Sequence, residues 1–178
     1  MIPKFRRTIE ALRARTRSQT CSQTWSGRLA LGVAAGIGGG LAIAAMEWLS
    51  TLSGYPLAII PFATSIVLVI AMPEAEAAQP RALIGGHLLS TLVGLLMVKL
   101  TGPQPWAAAL AVGLAILVMV LSDTMHPPAG IDPLLVVSAN LSWPFLIAPV
   151  LVGALLLTVF ALLWHRLINR RAWPGRWL

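Results

Sequence analysis

His126-Pro127-Pro128, followed by Ala129-Gly130 and flanked by Asp123 and Asp132, holds most of the chemistry this chain could perform. These residues lie between long apolar runs. An ionisable group there costs about 2.5 to 3.5 kcal/mol on insertion scales and needs a partner or an aqueous cavity. Proline has a fixed φ and no N–H, which suits the first turn of a helix that begins at membrane depth. Such a start offers free N–H groups and the positive end of a dipole, the device by which broken membrane helices hold an anion without a full positive charge. In this reading His126 adds a donor or a titratable charge, and Gly130 lets backbone or substrate approach closely. The same residues also fit a tight extramembrane turn capped by Asp123 and Asp132. His87 comes one turn into another apolar run, after Gly85-Gly86. It either bonds across a helix contact or, if it faces the same cavity as His126, shares that cavity's polar lining. Glu47 stands beside Trp48 as an interfacial carboxylate. Glu47, Asp123 and Asp132 could alternatively form a path for protons or cations. His165, among the closing arginines, reads as a solvated interface residue.

The elements that must position these groups are helices for lipid. The chain is 57% hydrophobic and 11% charged, which a soluble domain with a polar surface to cover would not show. Crossing about 30 Å of hydrocarbon takes roughly twenty apolar residues, and the segments 29–52, 82–100, 106–121 and 143–167 meet or approach that length. Trp25, Trp48, Trp106, Trp143 and Trp164 mark their ends, as an interfacial aromatic belt requires. Two shorter runs remain, 55–72 broken by Pro61 and 131–140 preceded by the double proline. The expected fold is an all-α polytopic transmembrane bundle with four full spans plus two short re-entrant or broken helices, and six crossings as the alternative. Pro61 and Pro128 head similar apolar stretches, each followed by a polar turn with proline (Gln79-Pro80, Trp143-Pro144) and then a span, an order compatible with internal duplication. Gly32, Gly36 and Gly40 recur every fourth residue, a spacing that lets another helix pack closely within or between protomers.

Of thirteen Lys and Arg residues, eleven lie within the first 28 or last 13 positions. Without an aromatic-lined basic face this speaks against nucleic acid and, by the positive-inside rule, puts both termini in the cytoplasm of a bacterial inner-membrane protein. Residues 1–24 read as a basic amphipathic segment on the inner leaflet, with Ile2, Phe5, Ile9 and Leu12 on one face. Residues 25–168 form the transmembrane domain, and 169–178 a cytoplasmic basic tail. A cleaved signal peptide is not expected, since no apolar core lies in the first 25 residues. The single Cys21 excludes an internal disulfide and a CxxC metal pair. No HExxH, GxSxG or phosphate loop is present, so neither an enzyme nor a metal or cofactor is expected.

His126-Pro127-Pro128-Ala129-Gly130, Pro61-Phe62-Ala63-Thr64-Ser65, and Gln79-Pro80-Arg81 running into Gly85-Gly86-His87 together resemble the HPP family of small integral membrane proteins over roughly residues 25–165. The resemblance implies four spans and brings Thr64 and Ser65 into the candidate site. It also implies nitrite transport, in which chloroplast and cyanobacterial members are implicated. Many members carry Ala-Thr-Ala after the glycine, where this chain has Ile131-Asp132-Pro133, and a carboxylate there repels an anion unless it is protonated, paired or turned away. The function expected is thus a channel or transporter for a small inorganic anion. Proton or cation conduction, and a membrane scaffold without flux of its own, are the alternatives. Four spans enclose little volume, so a homo-oligomer, by default a dimer, is expected in the lipid.

Overall fold

The computed structural model describes residues 24–57, 60–170 and 172–177. The amphipathic segment expected over 1–24 lies outside the described residues but for Thr24. Met1–Ala34 is a unit of its own, of which the described part is the beginning of the first helix; the rest of this account concerns Ala35–Leu178. The described elements are helical: α1 (Trp25–Ser53), α2 (Ile60–Ala71), α3 (Pro80–Thr101), α4 (Pro105–Leu121), α5 (Asp132–Ser138) and α6 (Val152–Leu163). Wider π turns extend α6 at Leu146–Leu151 and Trp164–Ile168, and 3-10 turns occupy Glu76–Ala78 and Pro127–Ile131. Proline stands in the first turn of α3, α4 and α5, where its missing N–H costs nothing. Gly102 stops α3 at φ 74°, a left-handed conformation that glycine adopts without a Cβ penalty. Among the described residues, three helices are long and apolar enough to cross a membrane: Trp25–Ser53, Pro80–Thr101 and Leu146–Ile168. The last is kinked at Ala148, just before Pro149. α4 has 17 residues, about 26 Å of helix at 1.5 Å per residue.

Taking α3 as a ruler gives the direction of each limb. α4 runs antiparallel to it, since Ala107, Ala108 and Ala111 share a cluster with Met97 and Met119 lies beside Gly86. The chain then turns and follows α3 in its own direction. Arg81 donates to the Ser122 carbonyl at 2.9 Å, Thr124 and His126 lie against Gly85 and Gly86, Ser90 donates to the Ala129 carbonyl, Pro133 lies against Gly94, and Val137 joins Met97. The HPP limb therefore continues past the motif along most of α3, a broken helix in place of a loop that turns back. α2 runs the other way, from Phe62 against His87 to Val69 beside His165. The short limbs α2 and α5 thus run in opposite directions along α3, as the middle elements of an inverted repeat would. The elements agree with the expected all-α bundle of longer apolar helices joined by two short ones.

The larger core unites α1, α2, α3 and α6 around Met46, Phe62, Ile66, Leu83, Leu157 and Trp164, with Trp173 of the tail. In the stripe of Gly32, Gly36 and Gly40, a Cβ built on each meets nothing within 4 Å among the described residues. Gly38 makes the close approach instead, with its Cβ direction 2.5 Å from the Trp164 ring. At Gly94 a Cβ would lie 2.8 Å from Pro133 Cα and 3.0 Å from Val136 Cβ. Gly94→Ala should therefore separate α3 from α5 and lower stability by about 1 to 3 kcal/mol, while Gly36→Ala should leave it unchanged or higher. Thermal unfolding of the two variants in one detergent checks the contrast.

Candidate functional site

The two short limbs meet beside α3, and their polar residues form one continuous chain. α2 contributes Ser65, α3 contributes His87 and Thr91, the turn before Pro127 contributes His126, and α5 opens with Asp132. Ser65, His87, Thr91, His126 and Asp132 are all fully buried. Ser65 Oγ lies 2.8 Å from His87 Nε2 and 2.8 Å from His126 Nε2. His87 Nδ1 is 2.7 Å from Asp132 Oδ2, which also accepts from Thr91 Oγ1 at 3.3 Å. His126 Nδ1 is 2.6 Å from the Ala77 carbonyl. The imidazole rings face each other with centroids 5.0 Å apart. His87 and Thr91 lie about 10 and 16 Å along an α3 that is about 33 Å long, so the network occupies the first half of a span-length helix and reaches its middle at Thr91.

Counting protons constrains this chain. A carbonyl only accepts, so His126 Nδ1 carries a hydrogen toward Ala77. Ser65 has one hydrogen and three acceptors in reach: His126 Nε2, His87 Nε2 and the Pro61 carbonyl at 2.9 Å. With Ser65 donating to His126, His87 Nε2 must donate to Ser65 Oγ. The proton shared over 2.7 Å between His87 and Asp132 then leaves that pair neutral overall, as acid and imidazole or as carboxylate and imidazolium. One more proton can be held on His126 Nε2, which donates to Ser65 Oγ while the hydroxyl turns to Pro61. Every hydrogen bond survives that addition.

The remaining candidates lie elsewhere. Pro127 and Pro128 open a 3-10 turn, Pro127–Ile131, that runs directly into the seven-residue α5 at Asp132. Asp132 thus occupies the helix start where an anion was expected, and its partner His87 resolves the repulsion that its carboxylate would exert. Thr64 bonds back to Pro61 and, with Leu68, Pro127, Pro128 and Ile131, lines an open, largely apolar groove of about 440 Å³. No atom stands within 4 Å of a Cβ built on Gly130. Asp123 is exposed, 3.8 Å from Arg81, and Glu47 lies in a separate groove with Ser50, Tyr55 and Pro56, so the three carboxylates do not line one path. His165 is buried, contrary to the solvated position expected, with Nε2 2.9 Å from the Val69 carbonyl. The basic tail is held rather than free: Trp173 is buried, and Gly175 N donates to Gln79 Oε1 at 2.9 Å. A cavity of about 40 Å³ beside this contact is lined by Glu76, Gln79, Arg81, Asp123 and Arg176. Sequence reasoning gave Ser65 no part of its own. Its signal was a polar pair, Thr64-Ser65, inside a run otherwise fit for lipid.

Comparison with known proteins agrees with this architecture. Residues 25–174 match the family model for the HPP transmembrane region. Two transmembrane proteins of Dictyostelium discoideum are each 36% identical to the chain over 124 residues, or 65% of it, covering 44% and 40% of their own lengths. The chain thus spans less than half the length of these curated relatives. No solved structure matches. A multi-pass helical membrane protein built around His126-Pro127-Pro128, with a family match across 25–174, belongs to the HPP family.

Proposed function

We propose that this chain is a membrane transport protein that moves a small inorganic anion together with a proton, and that Ser65, His87, His126 and Asp132 hold the proton. One observation carries the reading: Ser65 Oγ joins two fully buried histidines and the Pro61 carbonyl, an arrangement whose hydrogens can be redrawn to hold one further proton on His126. A net charge there costs about 2.5 to 3.5 kcal/mol on insertion scales. A monovalent anion arriving with the proton restores neutrality, whereas an anion alone would add a net negative charge to a neutral buried network. The positive charge that attracts the anion is thus the added proton on His126, and the seven-residue α5 is not asked to supply it. By the positive-inside rule the tail, and with it the Ala77 end of the network, faces the cytoplasm. Conduction along Glu47, Asp123 and Asp132 has less support, because those groups lie apart.

Nitrite is the probe we choose. In proteoliposomes, its uptake should accelerate under an inward proton gradient, and His126→Ala should return it to the rate of empty liposomes. Uptake that ignores the gradient would remove the proton from the mechanism, and no uptake above empty liposomes for nitrite or other small inorganic anions would remove transport.

A further inference from the structure

We propose that residues 172–177 of the C-terminal tail form a releasable strap, which closes the approach to His126 from the tail's side of the membrane and so limits how fast an anion is taken up. The closure stands on the contacts of the tail; only what it holds back rests on the transport reading above. A cavity of about 40 Å³ marks the place. It lies where the two segments joined by the 2.6 Å bond from His126 Nδ1 to the Ala77 carbonyl come together. Glu76 and Gln79 line it from either side of Ala77, and Asp123 lines it from the turn that leads through Thr124 to His126. Arg176 of the tail supplies another wall, beside Arg81 and Ala82.

One side-chain amide fastens the tail. Gln79 is buried, donates from Nε2 to the Pro73 and Ala75 carbonyls at 2.8 and 3.1 Å, and accepts at Oε1 from Gly175 N at 2.9 Å and Arg176 N at 3.3 Å. The same residue thus shapes the loop that carries Ala77 and ties the tail across it. Trp173 is the anchor, 2% exposed, with its ring tilted by 45° against His165 at a centroid distance of 5.7 Å. Seating it has costs. Trp173 Nε1 is buried with no hydrogen-bond partner among the described residues, and this donor would bond to water if the tail lifted. Arg170, which leads into the tail, holds φ at 51°, a left-handed conformation that a residue with a Cβ adopts only at a cost. The two backbone donors also share one acceptor, and the second bond is long. The gain from burying the indole is therefore partly offset, as it must be for a contact that opens without unfolding the bundle. Once the tail lifts, Arg176 leaves the cavity wall, and water reaches the place where His126 meets Ala77.

The strap is tested in the full chain carrying Cys21→Ser, which removes its single thiol, and Ala82→Cys, which places one in the covered cavity, where Ala82 is 5% exposed. In detergent, a small charged methanethiosulfonate should label position 82 slowly. Adding Trp173→Ala should raise the rate about tenfold or more, equivalent to about 1.4 kcal/mol off the cost of opening. Gly175→Pro, which removes one of the two N–H donors to Gln79 and keeps the indole, should raise it less, and it decides if Trp173→Ala does not fold. Tyr55→Cys in place of Ala82→Cys is the control: Tyr55 is exposed in the separate groove of Glu47, and its labelling should ignore the tail. In proteoliposomes, Trp173→Ala alone should take up nitrite faster than wild type. Equal labelling of position 82 with and without a seated tail overturns the strap, as does a rise at position 55 as large as that at 82. Nitrite uptake that is present but unchanged when labelling rises overturns it too. If labelling rises and none of the proteins takes up nitrite or another small inorganic anion, the covering tail stands and the transport reading falls.

Discussion

Replacing His87 with alanine is expected to lower the stability of the folded protein by about 3 to 5 kcal/mol, the range for breaking one side of a buried charge-paired contact. His87 is fully buried and bonded at both ring nitrogens, to Ser65 at 2.8 Å and Asp132 at 2.7 Å, and the Phe62 ring lies against it, tilted by 39°, with centroids 4.7 Å apart. Its removal leaves Asp132 with only the 3.3 Å bond from Thr91 on Oδ2 and none on Oδ1, in surroundings that cannot solvate it. The double replacement His87→Ala with Asp132→Ala takes away the stranded acid as well. It should therefore cost less than the two single losses added together, by about 0.5 to 3 kcal/mol, the usual coupling between contacting residues. Tryptophan-fluorescence melts of all four proteins in one detergent measure the cycle. Losses that simply add would mean that the two side chains stabilise the fold independently, and the shared proton would lose its basis.

The broad architecture was readable because apolar length is written in a sequence of this kind. Three of the four long runs hold helices long enough to cross, the fourth holds the 17-residue α4, and the interruptions at Pro61 and at Pro127-Pro128 mark the two short limbs. Their direction was not readable. An apolar run looks the same whether the chain passes onward or turns back, and only Gly85, Gly86 and Gly94, each pressed against the HPP limb, fix its path along α3. Glycine spacing misled for a related reason: Gly32, Gly36 and Gly40 share a face, yet the face that meets Trp164 is marked by Gly38. Within the site, the idea that His87 and His126 share a lining matched their meeting, but the atom between them belongs to a serine 22 residues from one and 61 from the other. Asp132 was read as an obstacle to an anion because its partner could not be seen. A carboxylate's role depends on what faces it, and that is settled by packing. Glu47 and Asp123, of the same chemical type, lie at surfaces and do not join it.

Gly86→Ala is expected to damage both fold and function, with a loss of about 1 to 3 kcal/mol of stability, the cost of forcing an extra methyl into a well-packed contact. Its Cβ would lie 2.6 Å from His126 Cβ and 3.0 Å from the Thr124 carbonyl, and neither can swing aside as the end of a flexible side chain could. Relief must come by moving the His126 backbone away from α3. That lengthens the 2.8 Å bond to Ser65 and the 2.6 Å bond to Ala77, and hydrogen bonds weaken steeply once geometry departs from its optimum. Proton-driven anion uptake should thus fall in Gly86→Ala beyond what its lowered melting temperature explains. Gly130→Ala is the matched comparison, because the added methyl meets no protein atom within 4 Å and the melting temperature should stay at the wild-type value. If uptake nevertheless drops in Gly130→Ala, cargo passes over this glycine beside the double proline. If uptake is unchanged there but lost in Gly86→Ala, the position of His126 matters to transport and the open space at Gly130 does not.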